Sequence, residues 1–185
     1  AHAVGCYGEN GLGICEQNGV VGKIDFIAGT FGKALGGIGA FITCRNTVRE
    51  MLVNRCRSLI FTTALPPLNI SWMSFILKKI PKMKDEREKL INISNLFRSE
   101  LVHSGFTTKG SSHIVPVIVG DDENTLELSL KMKAAGFFVP AIRPPTVAEG
   151  TSRLRFSVTS KFDGSHINSV VRQLSLSFPT DMLSC

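Results

Sequence analysis

No apolar run in this sequence approaches the roughly 20 residues that a bilayer-spanning helix needs, and no secretory signal is visible, so a soluble cytoplasmic protein with no membrane contact is expected. Cysteine is sparse and unpaired in pattern. Cys6, Cys15, Cys44, Cys56 and Cys185 are odd in number, widely spaced and without any C-x-x-C, which argues against a zinc ribbon or disulfide framework and for a reducing compartment. Three histidines, His103, His113 and His166, lack metal-ligand spacing, so no metal is expected and surface or loop roles are. Trp72 stands alone, and neither it nor the cysteines form a nucleophile pair. Positive charge is not concentrated either: the net charge is +6, yet its one cluster, Lys78-Lys79-Ile80-Pro81-Lys82-Met83-Lys84, adjoins Asp85-Glu86 at a helix boundary and reads as a solvated face. No nucleic-acid partner is expected, whereas anionic substrates such as phosphates, carboxylates and coenzyme A suit a mildly basic protein. An initiator methionine is also missing, and Ala1-His2-Ala3-Val4-Gly5 opens inside what reads as a motif, so a fragment or processed piece is expected.

What is present is enough for a packed core: 185 residues, 43% of them hydrophobic, without internal repeats or low-complexity tracts. The glycine-rich residues 1 to 22 read as a loop with at most one short helix. Asp25 to Gly29 and Gly39 to Thr43 read as adjacent strands around a glycine-rich turn, Asn46 as the cap of a helix to about Cys56, and Ser58 to Thr62 as a third short strand before Pro66-Pro67. A helix is expected over 68 to 80. Beyond Pro81, apolar spacings of three and four through Leu90, Ile93, Leu96, Phe97 and Leu101 predict a long amphipathic helix from Asp85 to Val102, ended by Gly105. Strands at 114 to 119, 137 to 142 and 153 to 158 then alternate with helices at 123 to 135 and 163 to 177, an α+β layer with one sheet covered by helices.

Gly29-Thr30-Phe31-Gly32-Lys33-Ala34-Leu35-Gly36-Gly37 sets one lysine among four glycines at the end of an apolar strand. Glycines let a backbone approach a ligand closely, and a lysine beside a desolvated pocket becomes an amine nucleophile. A Walker A loop fits poorly, because two residues rather than four separate Gly29 from Gly32 and Ala34 follows the lysine. Gly8-Glu9-Asn10-Gly11-Leu12-Gly13 reverses the Rossmann glycine spacing and follows no strand. An exposed glycine turn with an incidental lysine and a Schiff-base lysine both stay open on the turn alone.

Taken together, Ala1-His2-Ala3-Val4-Gly5, Gly8 to Gly13 and Thr30-Phe31-Gly32-Lys33 resemble the α-oxoamine synthase family of fold-type I pyridoxal 5'-phosphate (PLP) enzymes. The resemblance runs to about residue 178. It implies an α/β fold, with residues 1–81 the C-terminal part of the large PLP-binding domain and 82–185 a small α+β domain. It also implies that Lys33 holds PLP and serves in catalysis, that the Thr30 hydroxyl binds the cofactor phosphate, and that His2 contacts the ring's phenolic oxygen. The family's aspartate partner of the pyridine nitrogen is expected before Ala1, as are its stacking residue and phosphate loop, so the isolated chain is expected to be inactive. In Leu59-Ile60-Phe61-Thr62-Thr63-Ala64-Leu65-Pro66-Pro67, the resemblance assigns a hydroxyl of Thr62 or Thr63 to the PLP phosphate of a neighbouring subunit, implying a homodimer with shared active sites.

A second stretch, Ile142-Arg143-Pro144-Pro145-Thr146-Val147-Ala148-Glu149-Gly150-Thr151-Ser152-Arg153-Leu154-Arg155, places Arg153 and Arg155 on one face of a strand by simple alternation. Arginine's planar fork suits carboxylates, although two surface arginines on an edge strand are the plainer reading. By resemblance, Arg155 clamps the α-carboxylate of an amino-acid substrate. The run Arg143-Pro144-Pro145-Thr146-Val147 is similar to the branch that condenses L-alanine with a pimeloyl thioester, with Arg143 the discriminating residue and Thr146 beside it. Ala148 departs from the usual proline of this turn. The implied alternatives are glycine C-acetyltransferase, 5-aminolevulinate synthase and serine palmitoyltransferase types, or an inactive fragment.

Overall fold

The computed structural model describes residues 1–178. The chain divides into two compact units, one over Ala1–Arg87 and one from Glu88 onward.

In the first unit a glycine-rich segment holds a four-residue helix α1 (Ile14–Gln17) and a 3-10 turn at Val21–Lys23. Strands β1 (Phe26–Thr30) and β2 (Ala40–Cys44) pair antiparallel, with Phe26 opposite Cys44 and Thr30 opposite Ala40, as their apolar, β-branched runs predict. Helix α2 (Asn46–Arg55) begins at Asn46 itself. Arg45 occupies the N-cap without a side-chain bond, so the expected Asn46 cap is corrected by one position. The expected strand at 58 to 62 is absent: Arg57–Ile60 forms the short helix α3, in which Leu59 N and Ile60 N both donate to Cys56 O. The three-residue apolar run Leu59-Ile60-Phe61 is too short for periodicity to separate strand from helix, and the local bonds decide it. Helix α4 (Pro67–Lys79) starts with proline at its first position, where the missing N–H costs nothing, and runs into a 3-10 turn at Ile80–Lys82. Phe31, Leu35, Met73 and Ile80 form this unit's buried cluster, with Val4, Phe41, Leu65 and Ile76 packed around it.

The long helix α5 (Lys84–His103) ends as expected near Gly105. In the second unit, β3 (Ile114–Gly120), β4 (Ala141–Ile142) and β5 (Ser152–Ser157) form an antiparallel sheet ordered β3-β5-β4. The strand expected over 137 to 142 contracts to its last two residues. Phe137 N is drawn back to Met132 O beyond the helix α6 (Asp122–Ala134), with Gly136 at φ 89 as a helix-ending residue, and Pro140 has no N–H to offer a ladder. Alternation then separates the faces: Val115, Val117, Leu154 and Phe156 are buried, and Phe97 of α5 meets Phe156 edge to face at 5.1 Å. Asp121 caps α6 through Asn124 N, and Asp163 caps α7 (Gly164–Ser177) through Ser165 N and His166 N. The buried Ser152 hydroxyl donates to Asp122. Pro116 of β3 sits opposite Arg155, while Ile118 N donates outward to Thr107 O at 2.9 Å. Cys185 lies outside the described residues; Cys6, Cys15, Cys44 and Cys56 are free thiols.

Candidate active site

Thr30, exposed, is the last residue of β1, and the chain then reverses between Phe31 and Gly39. Phe31 N donates to Gly39 O at 2.9 Å, Gly37 N donates to Phe31 O at 2.7 Å, and Gly36 N donates to Lys33 O at 3.0 Å. The last bond closes a tight turn whose final residue, Gly36, takes φ 61, a backbone region costly for residues with a Cβ. Leu35 is 1% exposed and anchors the turn from below, so Gly32, Lys33 and Ala34 are held outward. The Lys33 side chain is exposed rather than enclosed by a desolvated pocket.

Helix α4 braces this loop through two side chains. Asn69 acts as a substitute strand for Ile38: its Oδ1 accepts from Ile38 N at 2.9 Å and its Nδ2 donates to Ile38 O at 2.7 Å. Trp72 Nε1 donates to Leu35 O at 3.0 Å. Between them Met73 packs so closely that a β-carbon on Gly37 would fall 2.3 Å from its Cε. Asn69 and Trp72 carry no local mark of this role in the sequence, because α4 also holds Ser71, Ser74, Lys78 and Lys79 among its apolar residues.

The N-terminal segment lies against the same turn. Gly5 approaches Ala34 so that an added β-carbon would stand 3.2 Å from the Ala34 Cβ, and Val4 packs on the Phe31–Leu35 cluster; His2, exposed, precedes them. Two further residues hold this segment in shape. Glu16 accepts from Asn10 N at 3.1 Å, Leu12 N at 2.9 Å and Asn10 Nδ2 at 2.7 Å. Desolvation works against its ionisation, but the bonds from Leu12 and Asn10 prevail and hold its carboxyl below the usual range. Arg87, 5% exposed, donates to Ile80 O at 2.6 Å and to Glu9 O, tying the glycine-rich segment to the turn after α4. Burial pushes the Cys6 thiol up, with Arg87 partly opposing it.

Thr62 and Thr63 are exposed on the connection from α3 to α4, and two residues on Leu65 packs onto Gly39, at the exit of the lysine loop. The first unit thus gathers the segments of His2, Thr30, Lys33 and Thr62–Thr63 around one loop. In the second unit Arg143 and Thr146 share a turn, Thr146 N donating to Arg143 O at 3.0 Å across a cis Pro144–Pro145 bond. Arg153 and Arg155 share a strand face as expected but differ in engagement. Arg153 curls back, its Nε donating to Thr151 O at 2.8 Å and a terminal nitrogen to Thr151 Oγ1 at 2.9 Å. Arg155 is exposed, while its backbone N donates to Pro140 O. A cleft of about 500 Å³ lined by Phe97, Phe138, Phe156, Phe162 and His166 contains none of these residues.

Chemically, the first unit carries a primary amine on Lys33, an imidazole on His2 and hydroxyls on Thr30, Thr62 and Thr63, all at exposed residues. An accessible amine with hydroxyl donors fits a phosphorylated aldehyde such as PLP. Among the described residues, no group of three or more His, Cys, Asp or Glu could hold a metal ion.

Comparison with known proteins gives the family and the fold. A Pasteurella multocida (strain Pm70) protein provisionally named 8-amino-7-oxononanoate synthase is 42% identical over 172 residues, 92% of this chain and 44% of that protein. The chain therefore spans less than half the length of the curated relatives it matches. A serine palmitoyltransferase from S. paucimobilis with a bound PLP–myriocin aldimine superposes with a TM-score of 0.88 at 29% identity, covering 96% of this chain and 45% of that one. An 8-amino-7-oxononanoate synthase from Francisella tularensis gives a TM-score of 0.84 at 26% identity, over 95% and 52%. The fold is that of the fold-type I PLP transferases. Residues 1–174 match the model of aminotransferase class I and II, and the chain belongs to that family.

Proposed function

We propose that the chain forms part of a PLP-dependent acyltransferase that condenses L-alanine with a pimeloyl thioester, releasing carbon dioxide and a free thiol and leaving 8-amino-7-oxononanoate, a step of biotin synthesis. The observation that carries the reading is the outward-held Lys33 on a loop bonded at both ends and braced by α4. The 42% identity to a protein named for this reaction supports alanine as the amino acid, against 29% to a serine palmitoyltransferase. In this reading PLP, when bound, supplies an electron sink for the pair left at the substrate α-carbon. Lys33 Nζ would hold the cofactor and would serve as the base that takes the α-proton of alanine. The Thr30 hydroxyl would hold the phosphate, His2 would contact the phenolic oxygen, and Thr62 or Thr63 would serve the phosphate of a second copy in a cytoplasmic homodimer. Arg155 would grip the alanine carboxylate with its fork, and Arg143 and Thr146 would be further substrate-binding residues.

Borohydride reduction of the full-length enzyme with PLP, followed by peptide mapping, is the test of the cofactor assignment. Label on Lys33 supports it and label on any other lysine overturns it. Product formed from glycine or serine in preference to alanine would overturn the substrate assignment.

A further inference from the structure

We infer that Asn69 and Trp72 are positioning residues that set the direction of the Lys33 amine from outside its loop. The inference rests on the reading of Lys33 as the cofactor lysine. Between Phe31 and Gly39 the loop's own bonds use Phe31 N, Gly39 O, Gly37 N, Phe31 O, Gly36 N and Lys33 O. Leu35 O, Ile38 N and Ile38 O are bonded instead by α4, through the Trp72 indole and both halves of the Asn69 amide. A short loop crossed by three bonds from one helix has its pitch fixed by that helix, because shifting the loop breaks several bonds together. Leu35 lies two residues from Lys33, so the Trp72 bond acts on the same turn that aims the lysine. Met73 of the same helix packs against Gly37 and leaves no room there for a β-carbon, so the helix also meets the loop by direct packing.

The same helix begins at Pro67, directly after the segment of Thr62 and Thr63, whose Leu65 packs on Gly39. Helix α4 therefore connects the lysine loop to the hydroxyls proposed for a neighbouring copy's phosphate. Neither Asn69 nor Trp72 has to touch substrate for this. Their effect passes through the backbone of Leu35 and Ile38.

The experiment uses the full-length enzyme with PLP and two variants. Trp72→Phe keeps an aromatic ring at the position and removes one donor, and Asn69→Ala removes both bonds to Ile38. Three quantities are read: the pH midpoint of the visible absorbance of lysine-bound PLP, the rate at which borohydride captures Lys33, and kcat and KM for alanine. Each variant is expected to slow borohydride capture and lower kcat by about tenfold, the scale of one or two lost hydrogen bonds, to shift the absorbance midpoint, and to leave KM within about twofold. Asn69→Gln, which can restore one bond, is expected to recover part of the loss. If Trp72→Phe is folded and keeps the wild-type midpoint, capture rate and kcat, the inference is overturned, whatever the fate of Asn69→Ala. If the wild-type enzyme itself fails to label at Lys33, it is the cofactor assignment that fails, so the two failures are distinct.

Discussion

A β-carbon on Gly8 would stand 2.1 Å from Glu16 Oε2, the same carboxylate that gathers the backbone of Asn10 and Leu12. Gly8 also takes φ 82, so alanine there meets both a collision and a disfavoured backbone region. Gly8→Ala is expected to destabilise the protein by about 1–2 kcal/mol. A lowered thermal midpoint would report it, and an unchanged midpoint would count against the described geometry.

The lowered Glu16 carboxyl sets a pH dependence of known sign. Its folded pKa lies below its unfolded one, so its contribution is present above the ordinary carboxylate value and is lost as pH falls through the folded value. Asp163 behaves in the same way, held down first by the Ser165 hydroxyl and then by His166. Urea midpoints measured from about pH 5 down to about pH 3, the region below carboxylate reference values, should fall less steeply in Glu16→Gln than in wild type. Parallel slopes would show that Glu16 is not held as described.

Lys33→Ala is expected to abolish turnover and borohydride labelling while shifting stability by no more than about 0.5 kcal/mol, as for a surface substitution free of packing roles. Retained turnover would remove Lys33 from the chemistry. A large loss of stability would show that the exposed side chain is in fact part of the loop's support.

Arg155→Lys is expected to raise KM for alanine by about tenfold, a scale of one charge-assisted bond lost from a two-bond fork, with the cofactor spectrum intact. Arg153→Lys is expected instead to loosen the turn that Thr151 anchors and to leave alanine binding nearly unchanged. Steady-state kinetics of the two variants separate the roles, and equal kinetic effects would refute the division.

Phe97 is 2% exposed and meets Phe156 edge to face in the core of the second unit. Phe97→Ala is expected to cost about 3–5 kcal/mol, typical of a large buried ring replaced by a methyl group. Chemical denaturation gives the value, and a cost under about 1 kcal/mol would contradict the packing.

Periodicity made the second unit legible: the spacing of Leu90, Ile93, Phe97 and Leu101 gave α5 almost to its ends, and the alternation of Arg153, Leu154 and Arg155 gave the faces of β5. Where the run was too short, as at Arg57–Ile60, local bonding to Cys56 O chose helix against the expectation of a strand. Phe137 to Pro140 read as strand by composition, yet a helix-ending glycine and a proline without a donor kept them out of the sheet. At the site, Lys33 and its glycines were visible because they adjoin in sequence. Asn69 and Trp72 were not, since their partners Ile38 and Leu35 lie 31 and 37 residues away and nothing local marks the pairing.

Pro116 determines what the free side of the sheet can do. Ile118 N points outward to Thr107 O and, by the two-residue period of a strand, the ring nitrogen of Pro116 points the same way with no hydrogen to give. An incoming strand would have to displace the Thr107 carbonyl and would then leave one of its own carbonyls facing a proline. Two copies of this chain therefore cannot continue their sheets edge to edge through β3 without losing bonds, and crowding during synthesis meets an edge already blunted against aggregation.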